Sequence, residues 1–289
     1  MSKQQGATPT PPARRLTSAA ILLACFCSSA AYAETSRGFI APFEYQLPGS
    51  LSKPINVVVQ YGYVDRSNEN WNAAGNKSGA DNVDVNVGLT KYVHAWNLEG
   101  NPNVGVGWEV IAPLVSVQNK TARTAVSGLA DPIAGGFIWF KPTKDSTLGT
   151  DFLFQVPVGS NTIGGGDHWR IIQSVFGTVQ SGAFSYTGDV VWDWPGKSTA
   201  TGTTAAMTWS TQHRIGYSVT PLLLPYIGVD YEHQKAKNGQ LANYEAVGNI
   251  GLMLTFPAGY TMALHYGRGF RGENRAQTDS INARFVYAW

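Results

Sequence analysis

The chain has 289 residues, and only 14% of them are charged, against about a quarter in an average soluble domain. Trp (9), Tyr (13) and Gly (32) are plentiful. Beyond the first thirty residues no apolar run approaches the roughly 20 residues that a membrane helix needs, which excludes a helical membrane protein. Few charges, many aromatic residues and no spanning helix favour a barrel of strands whose outer face meets lipid.

The first residues read as a targeting segment. Lys3, Arg14 and Arg15 form a positive region with no acid before Glu34, residues 16–27 form a short apolar stretch, and Ala31-Tyr32-Ala33 is an A-x-A cleavage signal. Residues 1–33 are therefore expected to be a cleaved signal peptide, with Glu34 opening the mature chain. The run Leu22-Leu23-Ala24-Cys25 offers a rival lipoprotein cleavage site, with Leu23 a poor fit at its second position. Both cysteines, Cys25 and Cys27, fall inside this segment, so the mature chain is expected to have no disulfide and no thiolate metal site. Cleavage leaves 18 basic against 19 acidic residues, a net charge of −1. The basic pI thus belongs to the precursor and gives no reason to expect a nucleic-acid partner. Residues 34–54 are an N-terminal segment that the sequence places either in a lumen or in the periplasm.

From residue 55 onward one period recurs: alternation over about ten residues, broken by Gly, Pro, Asn and Asp, which is the signature of transmembrane strands. In chain order, Ile55, Val57, Val59, Tyr61 and Tyr63 oppose Asn56, Gln60 and Gly62. Val83, Val85, Val87 and Leu89 oppose Asp84, Asn86 and Thr90. Val104, Val106, Trp108 and Val110 oppose Gly105, Gly107 and Glu109. Residues 133–140 are apolar on both faces and leave the register open. Phe152, Phe154, Val156 and Val158 oppose Asp151, Leu153 and Gln155, and residues 169–179 give a noisier strand. Phe184, Tyr186, Val190, Trp192 and Trp194 oppose Ser185, Thr187, Asp189 and Asp193. Met207, Trp209, Thr211, His213, Ile215 and Tyr217 share one face of a weaker strand. Pro225, Ile227, Val229 and Tyr231 oppose Tyr226, Gly228, Asp230 and Glu232. Ile250, Leu252, Leu254 and Phe256 precede the short turn Pro257-Ala258-Gly259, and Tyr260, Met262, Leu264 and Tyr266 follow it. In the last strand Ile281, Ala283, Phe285, Tyr287 and Trp289 oppose Ser280, Asn282 and Arg284.

These twelve segments make an all-β fold, a transmembrane antiparallel up-and-down barrel over residues 55–289. Residues 66–80, 119–127, 160–168, 195–202, 235–243 and 267–276 are expected as long external loops. A soluble β-sandwich also alternates. Two features oppose it: aromatic residues near strand ends suit an interfacial girdle, and the charged opposite face would not survive unpaired in a packed core.

Several short motifs resemble those of the meta-pathway phenol-degradation outer-membrane proteins. Gly128-Leu129-Ala130-Asp131-Pro132 is similar to the family's G-L-G-D strand start, with Ala130 where Gly is usual. Val156-Pro157-Val158-Gly159-Ser160, followed by a Gly-rich loop and His168-Trp169, resembles its P-x-G segment. Tyr186-Thr187-Gly188-Asp189 with Asp193, and Leu224-Pro225-Tyr226-Ile227-Gly228 running on to Gln234, resemble two further strands. The likeness spans most of residues 61–289. It implies an outer-membrane channel for small hydrophobic or aromatic compounds, with no catalytic residues.

The residues expected to line the lumen are Asp84, Glu109, Arg170, Asp189, Asp193, Arg214, Asp230, Glu232, His265, Arg268, Asn282 and Arg284. The expected partners are outer-membrane lipid, a small-molecule solute, and the barrel-assembly machinery, which would read Phe285, Tyr287 and Trp289. No cofactor or metal is expected, because no His pair has zinc spacing. Two alternatives stay open. One is a structural or surface-interaction barrel whose charges plug the lumen. The other is a hydrolase built on His265, which would need a Ser-His-Asp contact that sequence does not display.

Overall fold

A computed structural model describes residues 51–289 apart from 52 and 258. The expected signal peptide and most of the 34–54 segment lie outside these residues. Fourteen strands follow one another: β1 (Ile55–Trp71), β2 (Lys77–Leu98), β3 (Asn101–Asn119), β4 (Thr124–Leu129), β5 (Ile133–Thr143), β6 (Ser146–Gln155), β7 (Arg170–Ser181), β8 (Phe184–Pro195), β9 (Thr208–Tyr217), β10 (Leu223–Gln234), β11 (Asn243–Phe256), β12 (Tyr260–Glu273), β13 (Arg275–Ala276) and β14 (Asp279–Ala288). Twelve of them are staves of one closed antiparallel barrel. The short β4 pairs antiparallel with the upper part of β3, in line with β5 below it, and the two-residue β13 pairs with the tip of β1.

Closure is made by β1 and β14, paired from Val57↔Ala288 to Arg66↔Asp279. Below that ladder Asn56 N–H donates to the Trp289 carbonyl (2.9 Å) and Trp289 N–H donates to the Asn56 carbonyl (3.0 Å). The last residue therefore belongs to the seam itself. Short turns join the strands at the end that holds both Ile55 and Trp289, and the long connections lie at the other.

Three expected loops are partly strand. β1 and β2 run on as a paired ribbon to a turn at Asn72–Asn76, β4 folds the 119–127 region back on β3, and β12 continues to Glu273. A ribbon outside the barrel wall can stay paired wherever its neighbours accept its backbone groups. Here β13 does so, at Asn70↔Ala276 and Trp71↔Arg275.

The outer face carries the apolar belt: Phe152, Phe154, Ile215, Ile227, Ile250, Leu264, Ile281 and Phe285 are all exposed. Aromatic rings border it at both ends. At the short-turn end Tyr260 stacks on Tyr287 (4.7 Å) and Tyr287 on Trp289 (5.3 Å). At the long-loop end Trp209 meets Tyr231 (5.1 Å) and Tyr231 stacks on Tyr244 (5.8 Å). Such paired girdles sit where a bilayer passes from hydrocarbon to headgroup.

β1 and β2 face the opposite way from the simplest reading of their alternation. Val59, Tyr61, Val85 and Leu89 are buried inside the barrel, while Gln60 and Thr90 point outward and hydrogen-bond each other (2.7 Å). Lys91 supplies the physical reason. It shares the face of Val83, Val85, Val87 and Leu89, so turning that face to lipid would put an ammonium in the belt at a cost of about 2–4 kcal/mol. Facing inward, Lys91 Nζ meets Glu109 Oε2 at 2.7 Å.

Deleting Trp289 removes both terminal seam bonds, whereas Trp289→Ala keeps them. With each backbone bond worth about 0.5–1.5 kcal/mol net, the deletion is expected to cost about 1–3 kcal/mol more than the substitution. Urea unfolding in detergent measures the difference, and equal midpoints would contradict the role given to the seam.

Candidate functional site

The inner wall divides into two sectors. Strands β1–β8 supply a continuous apolar cluster that includes Val59, Tyr61, Leu89, Ile111, Trp139, Leu153 and Phe176. Strands β7–β14 supply most of the buried charge. Residues 133–140, apolar on both faces, now have a register: Ile133 and Trp139 are buried inside, and Ile138 and Phe140 are exposed outside.

Inward glycines let large side chains lie flat on this wall. A Cβ at Gly105 would fall 1.9 Å from the Trp139 ring, one at Gly107 2.4 Å from Phe137, and one at Gly149 2.5 Å from Phe176. On the polar side Arg214 lies over Gly228 (2.4 Å), Tyr226 over Gly251 (2.6 Å) and Trp71 over Gly272 (2.4 Å). Each large group occupies the volume that a side chain at the glycine would have filled, which is the close approach that only glycine permits.

Buried charges are answered from other strands, some by an opposite charge and some by neutral groups. Arg170 on β7 clasps Asp193 on β8 through two nitrogens, and Arg214 on β9 clasps Asp230 on β10 likewise. Arg275 Nη1 donates to Glu232 Oε1 at 2.8 Å. Asp189 accepts from the Gln212 backbone N–H (3.0 Å), and Asp151 accepts from the Ser174 hydroxyl (2.8 Å). Arg284 is buried and points an Nη toward the Met253 sulfur (3.7 Å). Forked Arg–carboxylate geometry makes the β7–β8 and β9–β10 pairs strong and directional. The Arg170–Asp193 and Arg214–Asp230 pairs join neighbouring staves and run along the wall, whereas Arg275 on β13 reaches Glu232 on β10, which is not its neighbour in the sheet.

His265 also faces inward. The Tyr226 hydroxyl lies 3.1 Å from its Nδ1, and the Asn282 amide lies 2.7 Å from its Nε2. A Ser-His-Asp unit needs a carboxylate on one ring nitrogen and a nucleophile on the other. Here a phenol and an amide occupy those places, which fixes the ring and does not activate a hydroxyl.

Of the residues expected in the lumen, Glu109, Arg170, Asp189, Asp193, Arg214, Asp230, Glu232 and Arg284 are buried on the inner face, with His265 and Asn282 beside them. Two are corrected. Asp84 stands on the outer face of β2, where Lys120 Nζ pairs with it (2.6 Å), because β2 is turned as Lys91 requires. Arg268 is exposed on the same outer face of β12 as Tyr266, beyond the belt toward the long-loop end, where a cation stays in water. Lys91, Asp151, Glu245, Arg275 and Trp139 were not singled out by sequence. Lys91 carried a readable signal, a lone cation in an apolar row. Arg275 lay in a stretch read as loop.

At the long-loop end two of the sequence motifs meet. Asp131 accepts from the backbone N–H of Gly159 (2.7 Å) and Gly166 (2.8 Å) and from Gln155 Nε2 (3.1 Å), pinning the Gly-rich connection between β6 and β7. Next to it Asp167 gathers the loop between β8 and β9, accepting from Ser198 Oγ (3.0 Å), Thr199 Oγ1 (3.1 Å) and Ala200 N–H (3.0 Å), and it lies 3.1 Å from His168 Nδ1. Partial burial alone would raise the Asp167 carboxyl, but these donors outweigh it and bring it down to about 2.

Two consequences are measurable. Since the Asp167 carboxyl is depressed, its clasp is fully present above the ordinary value of 3.8 and is lost as pH falls toward about 2. Pepsin is expected to cut residues 196–207 of the wild type slowly at pH 4 and faster at pH 2, with Asp167→Asn already cut fast at pH 4; identical rates would refute the clasp. Asp193→Ala strands the Arg170 guanidinium and should cost about 3–5 kcal/mol, whereas Arg170→Met combined with Asp193→Leu should recover most of that loss in unfolding experiments.

Comparison with known proteins places this geometry. No curated protein sequence matches the chain significantly. The solved structure of an outer membrane channel from Pseudomonas putida F1 matches with a TM-score of 0.76 at 16% identity, covering 86% of this chain and 100% of that one. The β domain of the Bordetella autotransporter BrkA matches at 0.52 and 12% identity, covering 81% and 99%. The translocator domain of the autotransporter NalP from Neisseria meningitidis matches at 0.50 and 10% identity, covering 94% and 97%. At such identities the likeness is one of fold. The sequence profile described as "Putative MetA-pathway of phenol degradation" matches residues 67–285, more than half of the chain. The chain belongs to that family.

Proposed function

We propose that this barrel is an outer-membrane channel through which small, uncharged hydrophobic or aromatic compounds pass passively. The observation that carries the reading is the divided inner wall. Most of its charges are answered by Arg–carboxylate or Lys–Glu pairs or by neutral donors, and one sector carries a contiguous apolar and aromatic cluster. A water-filled porin lumen is polar throughout. An inner wall with an apolar lane instead lowers the cost of desolvating an apolar solute, at about 25 cal/mol per Å² of apolar surface. The family's association with phenol degradation and the channel described for the Pseudomonas putida structure point the same way.

In this reading the long-loop end faces outward and the short-turn end faces the periplasm. The signal peptide is removed after Ala33, and the barrel-assembly machinery reads the terminal strand through Phe285, Tyr287 and Trp289. The near-complete burial of the inner wall favours a second reading, a structural barrel with a filled lumen.

Uptake by a strain lacking the protein, with and without complementation, separates the two. Complementation is expected to speed entry of a small aromatic solute several-fold and leave a disaccharide unchanged. Equal aromatic uptake in both strains would sink the channel and leave the filled barrel.

A further inference from the structure

Within the apolar cluster two side chains keep a polar atom that the protein leaves unanswered. The Tyr61 hydroxyl and the Trp139 indole N–H are both buried in that cluster, and among the described residues neither has a hydrogen-bond partner. Both rings are held in place. Tyr61 stacks on Tyr63 with centroids 5.8 Å apart and planes 12° apart, and Trp139 stacks on Phe137 at 5.8 Å and 28°. Trp139 is further fixed by its seat over Gly105.

The same barrel shows what a satisfied version looks like. Trp71 lies over Gly272 as Trp139 lies over Gly105, and its indole N–H donates to Glu245 Oε1 at 3.3 Å. Tyr226 lies over Gly251, and its hydroxyl meets His265 Nδ1. Rings seated over glycine on the polar side come with a partner for their polar atom. In the apolar sector Trp139, seated in the same way, has none, and neither does Tyr61. Buried polar atoms are normally paired, so two orphans in one cluster need an explanation.

Resting on the channel reading above, we infer that Tyr61 and Trp139 are donors kept for the solute. The apolar lane then favours small ring compounds that carry an oxygen acceptor, such as an aryl ketone or ester, over bare hydrocarbons of the same shape. The ring of the solute replaces water-exposed apolar surface, and its oxygen accepts from a donor that otherwise has nothing to bond. One such bond changes binding by about threefold to tenfold.

The test compares acetophenone with ethylbenzene, which share a shape but differ in the acceptor. Outer-membrane uptake of each is measured in cells carrying the wild type, Tyr61→Phe, or Tyr61→Phe combined with Trp139→Phe. Wild type is expected to favour acetophenone, and the double variant to lower the acetophenone-to-ethylbenzene ratio about threefold to tenfold. The carbonyl stretch of acetophenone bound to purified wild type should shift to lower frequency, and the double variant should lose that shift. If Trp139→Phe lowers folded yield, Tyr61→Phe, which removes one oxygen only, should still lower the ratio. An unchanged ratio and an unshifted carbonyl in all forms would overturn the inference while leaving the channel intact. Failure of wild type to speed either compound would overturn the channel reading itself, and this inference with it.

Discussion

In a bilayer every backbone N–H and C=O must find a partner within the protein, and the pairing of the first strand with the last is what meets that demand here. β1 and β14 are joined from Val57↔Ala288 to Arg66↔Asp279, with Asn56 and Trp289 exchanging two further bonds. An open sheet of these strands would present two unpaired edges to hydrocarbon. Closure removes both, and it creates a second environment, the inner wall, whose chemistry is independent of the lipid outside.

That inner wall follows from one packing device. Glycines on one strand receive the large side chains of the next, so Trp139, Phe176 and Arg214 lie along the wall and do not project across it. Charges settle in the same plane, Arg170 against Asp193 and Arg214 against Asp230. These two pairs stiffen the wall between neighbouring strands, and Arg275 to Glu232 adds a contact between strands that are not neighbours. The apolar sector is where an uncharged solute loses least on leaving water. Outside the wall, Asp131 and Asp167 tie down the loops at one end, so the mouth is shaped by carboxylates that gather backbone N–H groups from sequence-distant segments.

The barrel is legible because period-two alternation survives in most single strands, whereas residues 133–140 show only as an apolar run and residues 169–179 as a noisy one. What alternation does not say is which face meets lipid when the inner wall is also apolar. β1 and β2 show this: Val59 and Leu89 look like lipid-facing residues and are lumen residues, while Gln60 and Thr90 look inward-facing and are outside. Asp84 was misplaced with them. Lys91, one cation in a row of valines, was the clue to the inversion. In β12, Arg268 follows Tyr266 on the lipid-side face, so register sets it outside although its charge alone points to the lumen. Partners such as Lys91 for Glu109, across one hairpin, or Arg275 for Glu232, between strands far apart in sequence, depend on how strands are placed against each other, which no single-strand pattern contains. The orphaned donors on Tyr61 and Trp139 are of the same kind, since a missing partner is visible only once every neighbour has been placed.

The central claim is that solute travels along the apolar sector of the inner wall. Photolabelling the reconstituted barrel with a small aryl azide, followed by mapping of the modified residues, tests it directly. The account predicts labelling at inward residues such as Leu89, Trp139 and Phe176, suppressed by excess unlabelled aromatic solute. Labelling confined to outward residues such as Phe152, Ile227 and Leu264, unaffected by competitor, would contradict it.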